Sequence, residues 1–273
     1  MESKGRARGL SPFFQNWTAV AGAGIHHGGI NHFFVAPDRN RILSPQDPVS
    51  HFRIGTALAL SGIVAELPKP FPPMLASEIK APFHKPGWVY EEKYDGYRVV
   101  AYKDGRQVRL VSRNLKDLTA QFEEAAAAVS RLRAPTLVLD GELAVFDENL
   151  VSHLGYLRSS QANAGKLLTP PVLVAFDCLF ARGKELFHEP LHRRRAVLEK
   201  ELARAEGPIL IARRLASDGF EAWNEVKAHG WEGLIAKEAD SIYEPGARTR
   251  SWIKVKHKVR VGWPGEGVEY TRP

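Results

Sequence analysis

The chain has 273 residues, of which 44% are hydrophobic, and this is enough to bury the core of one large domain or two smaller ones. Its 38 Lys and Arg against 31 Asp and Glu give a net charge of +7, which favours polyanionic partners without naming one. The single cysteine, Cys178, excludes an intrachain disulfide, and no apolar run approaches the roughly 20 residues of a membrane helix. We therefore expect a cytoplasmic protein with no membrane segment.

The first 70 residues show no helical or strand periodicity. Glycine clusters at residues 22–24 and 26–29 indicate loops, and His26 and His27 lack further ligands at a metal-binding spacing. A proline-rich stretch at residues 68–73 precedes regular apolar runs. The sequence thus predicts an unpatterned extension over residues 1–70 and a folded domain over residues 71–258.

The domain begins with strand patterns. Residues 88–93 and 97–102 are predicted strands, Asp104 and Gly105 predict a hairpin turn, and residues 107–112 alternate as the returning strand. The Ala- and Glu-rich residues 121–132 predict a helix, and the short apolar runs at 136–139 and 172–179 predict buried strands.

The second half alternates helices with strands. Pro190 suits the first turn of a helix that runs to about Ala205, before the stop signal at residues 207–208. Asp218, with Glu221 three residues later, predicts a helix start, and Gly230 predicts its end. Residues 233–236 and 252–257 are predicted strands. The whole indicates an α+β domain built on antiparallel sheets.

One lysine stands at the end of a predicted strand. Residues 91–98 read Glu-Glu-Lys-Tyr-Asp-Gly-Tyr-Arg and place Lys93 next to a tight turn. An ordinary lysine has a pKa of about 10.4 and is protonated at neutral pH, so it cannot attack an electrophile. Neighbouring cations and desolvation favour the neutral amine. Lys254 and Lys256 are candidates for such cations.

The string KxDGxR in this segment resembles the first signature of the covalent nucleotidyltransferases, which comprise ATP-dependent DNA ligases, RNA ligases and mRNA capping enzymes. Five further segments resemble the family's later motifs in the family's order: residues 112–114, 139–143, 174–177, 232–237 and 252–256. The resemblance covers about residues 72–258 and is to the small bacterial ligase type, also found as the ligase module of end-joining enzymes. It implies an antiparallel-sheet, ATP-grasp-like adenylation domain.

The resemblance implies the chemistry of the site. Lys93 is expected to attack the α-phosphorus of ATP, to release pyrophosphate and to hold AMP as a phosphoramidate. The AMP then passes to the 5′-phosphate at a nick in duplex DNA, and the 3′-hydroxyl displaces it. Charge on the phosphates calls for Mg²⁺, for which Glu142 and Glu232 are the expected ligands, with Glu142 also acting at the ribose.

Further roles follow from the same resemblance. Phe176 is expected to stack on adenine, Glu91 to accept from the adenine amino group, and Arg98 to hold the ribose and the nick end. The remaining assignments are phosphate contacts made by Lys237, Lys254 and Lys256, and a contact with a nick phosphate made by Arg113. Cys178 is predicted to be a small buried hydrophobe with no catalytic role.

The sequence departs from the family after the last signature. Residues 259–273 are too few for the five-stranded OB domain that follows in such ligases, so we expect an adenylation domain without that domain. Two alternatives stay open: an RNA ligase or capping-type enzyme, and a catalytically impaired remnant that binds nucleotide or nicked DNA. Nicked duplex DNA and an end-joining factor are the expected partners of a monomer associated with the bacterial nucleoid.

Overall fold

The computed structural model describes residues 65–158 and 169–257. The predictions made for residues 1–64 and 258–273 lie outside this range. No helix of the described part is long and apolar enough to cross a membrane. The strands are β1 (Leu75–Ile79), β2 (Trp88–Glu92), β3 (Tyr97–Asp104), β4 (Gln107–Ser112), β5 (Thr136–Ala144), β6 (Val172–Ala181), β7 (Lys184–Glu185), β8 (Ile209–Ile211), β9 (Gly233–Glu238) and β10 (Arg248–Lys256). The helices are α1 (Glu123–Ser130), α2 (Leu154–Arg158), α3 (Leu191–Leu202) and α4 (Gly219–His229).

The described strands form two sheets. A four-stranded sheet has the order β1-β10-β9-β2, and a six-stranded sheet has the order β4-β3-β5-β6-β7 with β8 paired to β6. All pairings are antiparallel except β1 with β10 and β8 with β6, which are parallel. The predicted α+β class with antiparallel sheets is confirmed.

Strand alternation gives each sheet one helix-covered face. Side chains on alternate positions of a strand point to opposite faces. In the six-stranded sheet, Val99 and Ala101 of β3 pack in the same core as Val129 of α1 and Leu198 of α3. A second core joins the four-stranded sheet to α4: Tyr90, Leu234, Ala236 and Val255 pack against Ala222 and Val226. The opposite faces remain available for a site.

The helix ends follow their predicted signals. The Asp218 carboxylate accepts from the backbone N–H groups of Phe220 and Glu221 at the start of α4, and Gly230 closes that helix with φ 66°, in the left-handed region. Pro190 immediately precedes α3, whose last residue is Leu202 rather than the expected Ala205. The hairpin turn after β3 consists of Gly105 and Arg106, one residue later than expected.

Several strands are longer than the sequence predicted. β5 continues from the predicted residues 136–139 through Ala144, and β10 begins at Arg248 rather than at residue 252. β5 therefore carries the whole 139–143 motif on one strand, although its pairing with β6 shifts register at residues 138/139 and 140/141. The predictions omitted β1, β7, β8 and α2. Each has five residues or fewer, and such short segments lack a measurable periodicity.

A buried ion pair links β6 to α3. The Arg194 guanidinium donates to both Asp177 oxygens at 2.8 Å, and both side chains are fully buried. Arg194 also donates to the carbonyls of Glu189 and Ser241. Burial raises the pKa of Asp177, and the contact with Arg194 opposes this effect. Because neither charge is in contact with water, each side chain relies on the other for the stabilisation of its charge.

We expect Arg194→Met to lower the free energy of unfolding by about 3–5 kcal/mol, since it leaves the Asp177 charge buried and unpaired. Urea denaturation measures this quantity. The double variant Arg194→Met/Asp177→Asn should be less destabilised than the single variant, because it removes the stranded charge. A double variant destabilised by the sum of both single effects would contradict the argument.

Candidate active site

The predicted site residues converge on a pocket that both sheets line. Its volume is about 220 Å³. In the four-stranded sheet, Ile235, Lys237, Trp252 and Lys254 stand on the face opposite α4, as strand alternation requires. From the six-stranded sheet, β3, β5 and β6 contribute Arg98, Glu142 and Phe176 to the pocket. The remaining lining residues are Leu75, Ala76, Glu91, Glu92, Lys93, Tyr94, Arg113 and Arg248.

Lys93 directly follows β2, and its loop is tightly held. The Lys93 backbone N–H donates to the Gly233 carbonyl at 3.0 Å, and the Asp95 N–H donates to Ser152 Oγ at 2.8 Å. A Cβ at Gly96 would lie 2.1 Å from the Leu143 carbonyl oxygen, so only glycine fits there without a backbone shift. This close approach explains the glycine of the KxDGxR motif and fixes Lys93 relative to β5.

The Lys93 amine forms an ion pair with Glu232, in the loop before β9, and both side chains are largely buried. Burial raises the pKa of Glu232, whereas the charge of Lys93 and a hydrogen bond from it act in the opposite direction. The second oxygen of Glu232, Oε2, is buried and has no hydrogen-bond partner among the described residues. This carboxylate therefore retains a free ligand position.

Glu142 lies on β5 opposite Arg98 of β3. Burial raises the pKa of Glu142 to about 8, while the nearby charges of Arg98 and Lys93 lower it and that of Glu232 raises it. Because the charge of Glu232 acts on the pKa of Glu142, the two carboxylates are electrostatic neighbours. They form a site that gains by binding a cation.

Arg98 is held in place by β5 and by the loop before β10. It donates to Asp140 Oδ1 at 2.6 Å and Oδ2 at 2.7 Å, and the Tyr243 hydroxyl donates to Oδ2 at 2.6 Å. The guanidinium carbon lies 4.4 Å from the centre of the Phe176 ring. Asp140 thus orients Arg98 over the predicted adenine-stacking residue.

Glu91 is the centre of a second buried charge cluster. Its Oε2 accepts from Lys237 Nζ at 2.6 Å, and its Oε1 accepts from Arg195 at 3.0 Å. Burial lowers the pKa of Lys237, and the charge of Glu91 opposes this shift. Lys237 Nζ also lies 4.4 Å from the centre of the Phe176 ring, which stands edge-on to Trp252. Phe176 is 8% exposed in this arrangement.

The other predicted phosphate-binding residues lie toward the rim. Lys254 and Lys256 both approach Glu78 of β1, at 3.0 and 3.6 Å. Lys254 lines the pocket and Lys256 does not, although its charge acts on Glu232. Arg113 follows β4, is exposed and borders the pocket. The structure therefore gathers all the predicted residues except Glu232 and Lys256 in the pocket lining, and places these two beside it.

The sequence analysis did not identify the residues that hold the predicted site residues in position. Asp140 and Trp252 occur inside recognised motifs, so their position was a usable signal. Arg195 lies in a run of three arginines on α3, and nothing in that run distinguishes the residue that reaches Glu91 from its neighbours. Cys178 is fully buried in the core beneath α1 and α3, as predicted for a small hydrophobe.

The pocket is small for a nucleotide. Its volume of about 220 Å³ lies below the roughly 300–1,000 Å³ of common small-molecule sites. Two cations also lie over the Phe176 ring, where adenine is expected to stack. A bound nucleotide therefore requires side-chain movement here, most directly of Arg98 and Lys237.

Comparison with known proteins identifies the family. The family model described as "ATP dependent DNA ligase domain" matches residues 73–256. The multifunctional non-homologous end joining protein LigD of Mycolicibacterium smegmatis is 35% identical over 208 residues, which are 73% of this chain and 26% of LigD. DNA ligase 1 of Methanosarcina barkeri is 30% identical over 241 residues, which are 81% of this chain and 43% of that ligase. The chain thus spans about a quarter of the LigD of M. smegmatis.

Solved structures agree with this result. The ligase domain of Mycobacterium tuberculosis LigD has a TM-score of 0.61 and 33% identity, and the match covers 68% of this chain and 60% of that chain. A mycobacterial DNA ligase D complexed with ATP and MES has a TM-score of 0.60 and 34% identity, over 69% and 61% of the two chains. The match to the family model and these relatives confirm the fold and the resemblance first carried by the motifs, and the chain belongs to the ATP-dependent DNA ligase domain family.

Proposed function

We propose that this chain catalyses the adenylylation chemistry of a DNA ligase, with Lys93 as the nucleophile. One observation carries the proposal: the pocket brings Lys93, Glu142, Phe176 and Lys237 together from four separate strands or loops. The Lys93 nitrogen forms a bond to the α-phosphorus of ATP as the bond to the pyrophosphate oxygen breaks. The Lys93 ammonium has to give up a proton before attack, and the carboxylate of Glu232, which is ion-paired with it and has a raised pKa, is the acceptor in contact with it.

The pocket supplies the contacts that orient a nucleotide. Phe176 offers a ring for adenine once a cation moves aside, and Glu91 offers carboxylate oxygens to the adenine amino group. Arg98, freed from the ring, would reach the ribose. Lys237 and Lys254, with Lys256 at the rim, would neutralise phosphate charge as flexible point charges.

Glu142 and Glu232 fit a magnesium site. Both offer hard oxygen ligands, and one Glu232 oxygen has no hydrogen-bond partner in the described part. Burial raises the pKa of both carboxylates, so a nearby cation would stabilise their ionised forms. Mg²⁺ is usually held by one or two carboxylates together with phosphates and water, which is the number of carboxylates that Glu142 and Glu232 supply. Mg²⁺ would supply charge stabilisation during phosphoryl transfer.

We propose nicked duplex DNA as the acceptor. In this step a 5′-phosphate oxygen takes AMP from Lys93, and the adjacent 3′-hydroxyl then displaces AMP to form the phosphodiester. The exposed guanidinium of Arg113 at the pocket rim is suited to a nick phosphate. The name of the LigD relatives, which refers to non-homologous end joining, supports a role in DNA repair. We further propose that the protein acts as a cytoplasmic, nucleoid-associated monomer, with an end-joining factor as a candidate partner.

The RNA ligase and capping alternatives share the lysine chemistry, and no observation favours them. They differ from the proposal in the nucleotide and in the acceptor strand. An assay that offers labelled ATP or GTP, and then nicked DNA or nicked RNA, distinguishes the DNA ligase, RNA ligase and capping-type functions. Adenylylation by ATP followed by sealing of DNA alone supports the proposal.

Lys93→Ala should abolish transfer of label from α-labelled ATP to the protein. Lys93→Arg keeps a cation beside Glu232 but offers no free amine, so it should fold normally and also take no label. Lys227→Ala, a variant at an exposed lysine on α4, should label like the unmodified protein. Label on the Lys93→Arg variant would remove the nucleophile assignment, and absence of label on the unmodified protein would favour the binding remnant.

Phe176→Ala should weaken ATP binding by about 5- to 150-fold, because stacking of a base on an aromatic ring contributes about 1–3 kcal/mol. Calorimetric titration measures the effect, with the folded fraction checked by circular dichroism. Phe180→Ala is the matched control, since Phe180 is buried on the same strand but does not line the pocket. Equal ATP affinity of the folded Phe176→Ala variant and the unmodified protein would show that the ring serves the core alone.

Magnesium should stabilise the protein more at pH 8 than at pH 6. The pKa of Glu142 is raised to about 8 in the folded state, so the folded protein holds an extra proton between about pH 4.5 and 8. Its free energy of unfolding therefore falls as pH rises through this window, and Mg²⁺ binds only the ionised carboxylate that appears there.

The shift in melting temperature caused by Mg²⁺, measured without nucleotide from pH 6 to pH 8, tests this expectation. Glu142→Gln should reduce the pH dependence of the magnesium effect, and the part that remains comes from Glu232, whose carboxylate pKa is also raised by burial. Burial also raises the pKa of Glu92 to about 8, but Glu92 is unchanged between the two proteins and its contribution cancels in the comparison. A magnesium effect that is the same in both proteins would exclude Glu142 as a ligand.

A further inference from the structure

A second and larger cavity lies at the far end of the six-stranded sheet. Its volume is about 1030 Å³. It is bounded by the β3–β4 turn, the end of α1, the turn after β6 and the end of α3. We call this cavity the basic groove, and its cationic lining residues are Lys103, Arg106, Arg131, Arg133, Arg182, Lys200 and Arg204.

The basic groove is separate from the active-site pocket. The two share no lining residue. Arg98 of the pocket and Lys103 of the groove both belong to β3, five residues apart, which corresponds to roughly 17 Å along a strand. Because five is an odd number of residues, their side chains also leave opposite faces of the sheet. A nucleotide bound at Lys93 therefore leaves the groove open.

The lining carries a large excess of positive charge. Seven Lys and Arg face two Glu. One of these, Glu201, is already bound by Arg182 through two hydrogen bonds of 2.7 and 2.9 Å. Six of the cations have no ion pair with any described residue: Lys103, Arg106, Arg131, Arg133, Lys200 and Arg204. Lys103 and Arg131 donate to the backbone carbonyls of Gly105 and Glu206. Like charges held together in this way repel each other and gain by binding an anion.

Helix ends explain only part of this charge. A cation near a helix C-terminus interacts favourably with the helix dipole, which accounts for Lys200 in the last turn of α3 and Arg131 after α1. It does not account for the groove cations of β3, the β3–β4 turn and the β6–β7 turn. Lys103 is 3% exposed, and its amine donates to the Gly105 carbonyl beside the groove. A lysine is rarely buried so far without a counter-charge.

The chain itself offers no acidic segment to fill the groove. Residues 1–64 contain six Lys and Arg and three Asp and Glu, and residues 159–168 contain one Lys and no acid. Residues 258–273 contain three basic and two acidic residues. Each of these segments is net positive, so charge complementarity points to a ligand from outside the chain.

We propose that the basic groove binds the phosphodiester backbone of a nucleic-acid segment other than the one at the active site. Five of its seven cations are arginines, whose planar fork binds two phosphate oxygens at once. The contacts are to backbone phosphates, so binding is independent of base sequence. The proposal rests on the proposed function only in the choice of DNA as the first polyanion to test.

A matched pair of triple variants tests the groove. The groove variant is Arg106→Ala/Arg133→Ala/Arg204→Ala, and the control is Lys69→Ala/Arg193→Ala/Lys227→Ala. The control removes the same charge from exposed positions that line neither cavity. Fluorescence anisotropy with a short, un-nicked, labelled duplex gives the affinity of each protein over a range of salt concentrations.

The groove variant should bind the duplex at least about 10-fold more weakly at low salt. The slope of log affinity against log salt should fall by about 1 for each removed cation, or about 3 in all. The control should change both quantities much less. Equal losses in the two variants would show that only net charge matters and would overturn the proposal.

Two further measurements decide the nature of the ligand and the independence of the site. Polyglutamate of the same charge as the duplex should compete at least about 10-fold less effectively for the unmodified protein than unlabelled DNA does, because DNA carries condensed counterions whose release drives binding. Equal competition would assign the groove to an acidic protein segment instead. Adenylylation by ATP should be equal in the groove variant and the unmodified protein, so failure of the adenylylation proposal leaves the binding result interpretable.

Discussion

The charged side chains at the centre of the active-site pocket are largely removed from water, and each of them must be held by an opposite charge. Burying an unpaired ion costs far more than a typical hydrogen bond returns. Glu91 accordingly holds Lys237 and Arg195, and Asp140 holds Arg98. These pairs keep the cations at defined positions before any substrate arrives. The geometry of the site therefore depends on its counter-charges as much as on the residues that would touch ATP.

The same pairing explains why the pocket is small. Arg98 and Lys237 lie over the Phe176 ring, and Lys93 is paired with Glu232. Each of these contacts occupies a group that the proposed chemistry needs. A nucleotide would replace cation-to-ring contacts with base stacking and supply its phosphates to the cations. Substrate binding and release of the nucleophile are then expected to be coupled.

In both sheets, strand alternation places the residues that stabilise the fold and the residues of the pocket on opposite faces. One face of each sheet packs on helices and is apolar, and the other face carries the charged residues of the pocket. The long strands β5 and β6 bring motif residues to the pocket on one face while burying their neighbours under α1 and α3. The basic groove uses the other end of β3, where side chains leave the helix-covered face near the ends of α1 and α3. A single sheet thus presents two cationic sites to different ligands.

The sequence alone determined the family and predicted a nucleophile and most of the residues that line the pocket, because short motifs at strand ends and turns carry local constraints such as the glycine required at position 96. Local signals also determined the start and end of α4 through Asp218 and Gly230. Only the tertiary structure decided which charges pair. The contact of Arg195 with Glu91 joins residues 104 positions apart, and the basic groove gathers cations from four separate turns and helix ends. Such contacts depend on strand order and helix packing. These are set by residues far apart in the sequence, so no local sequence pattern predicts them.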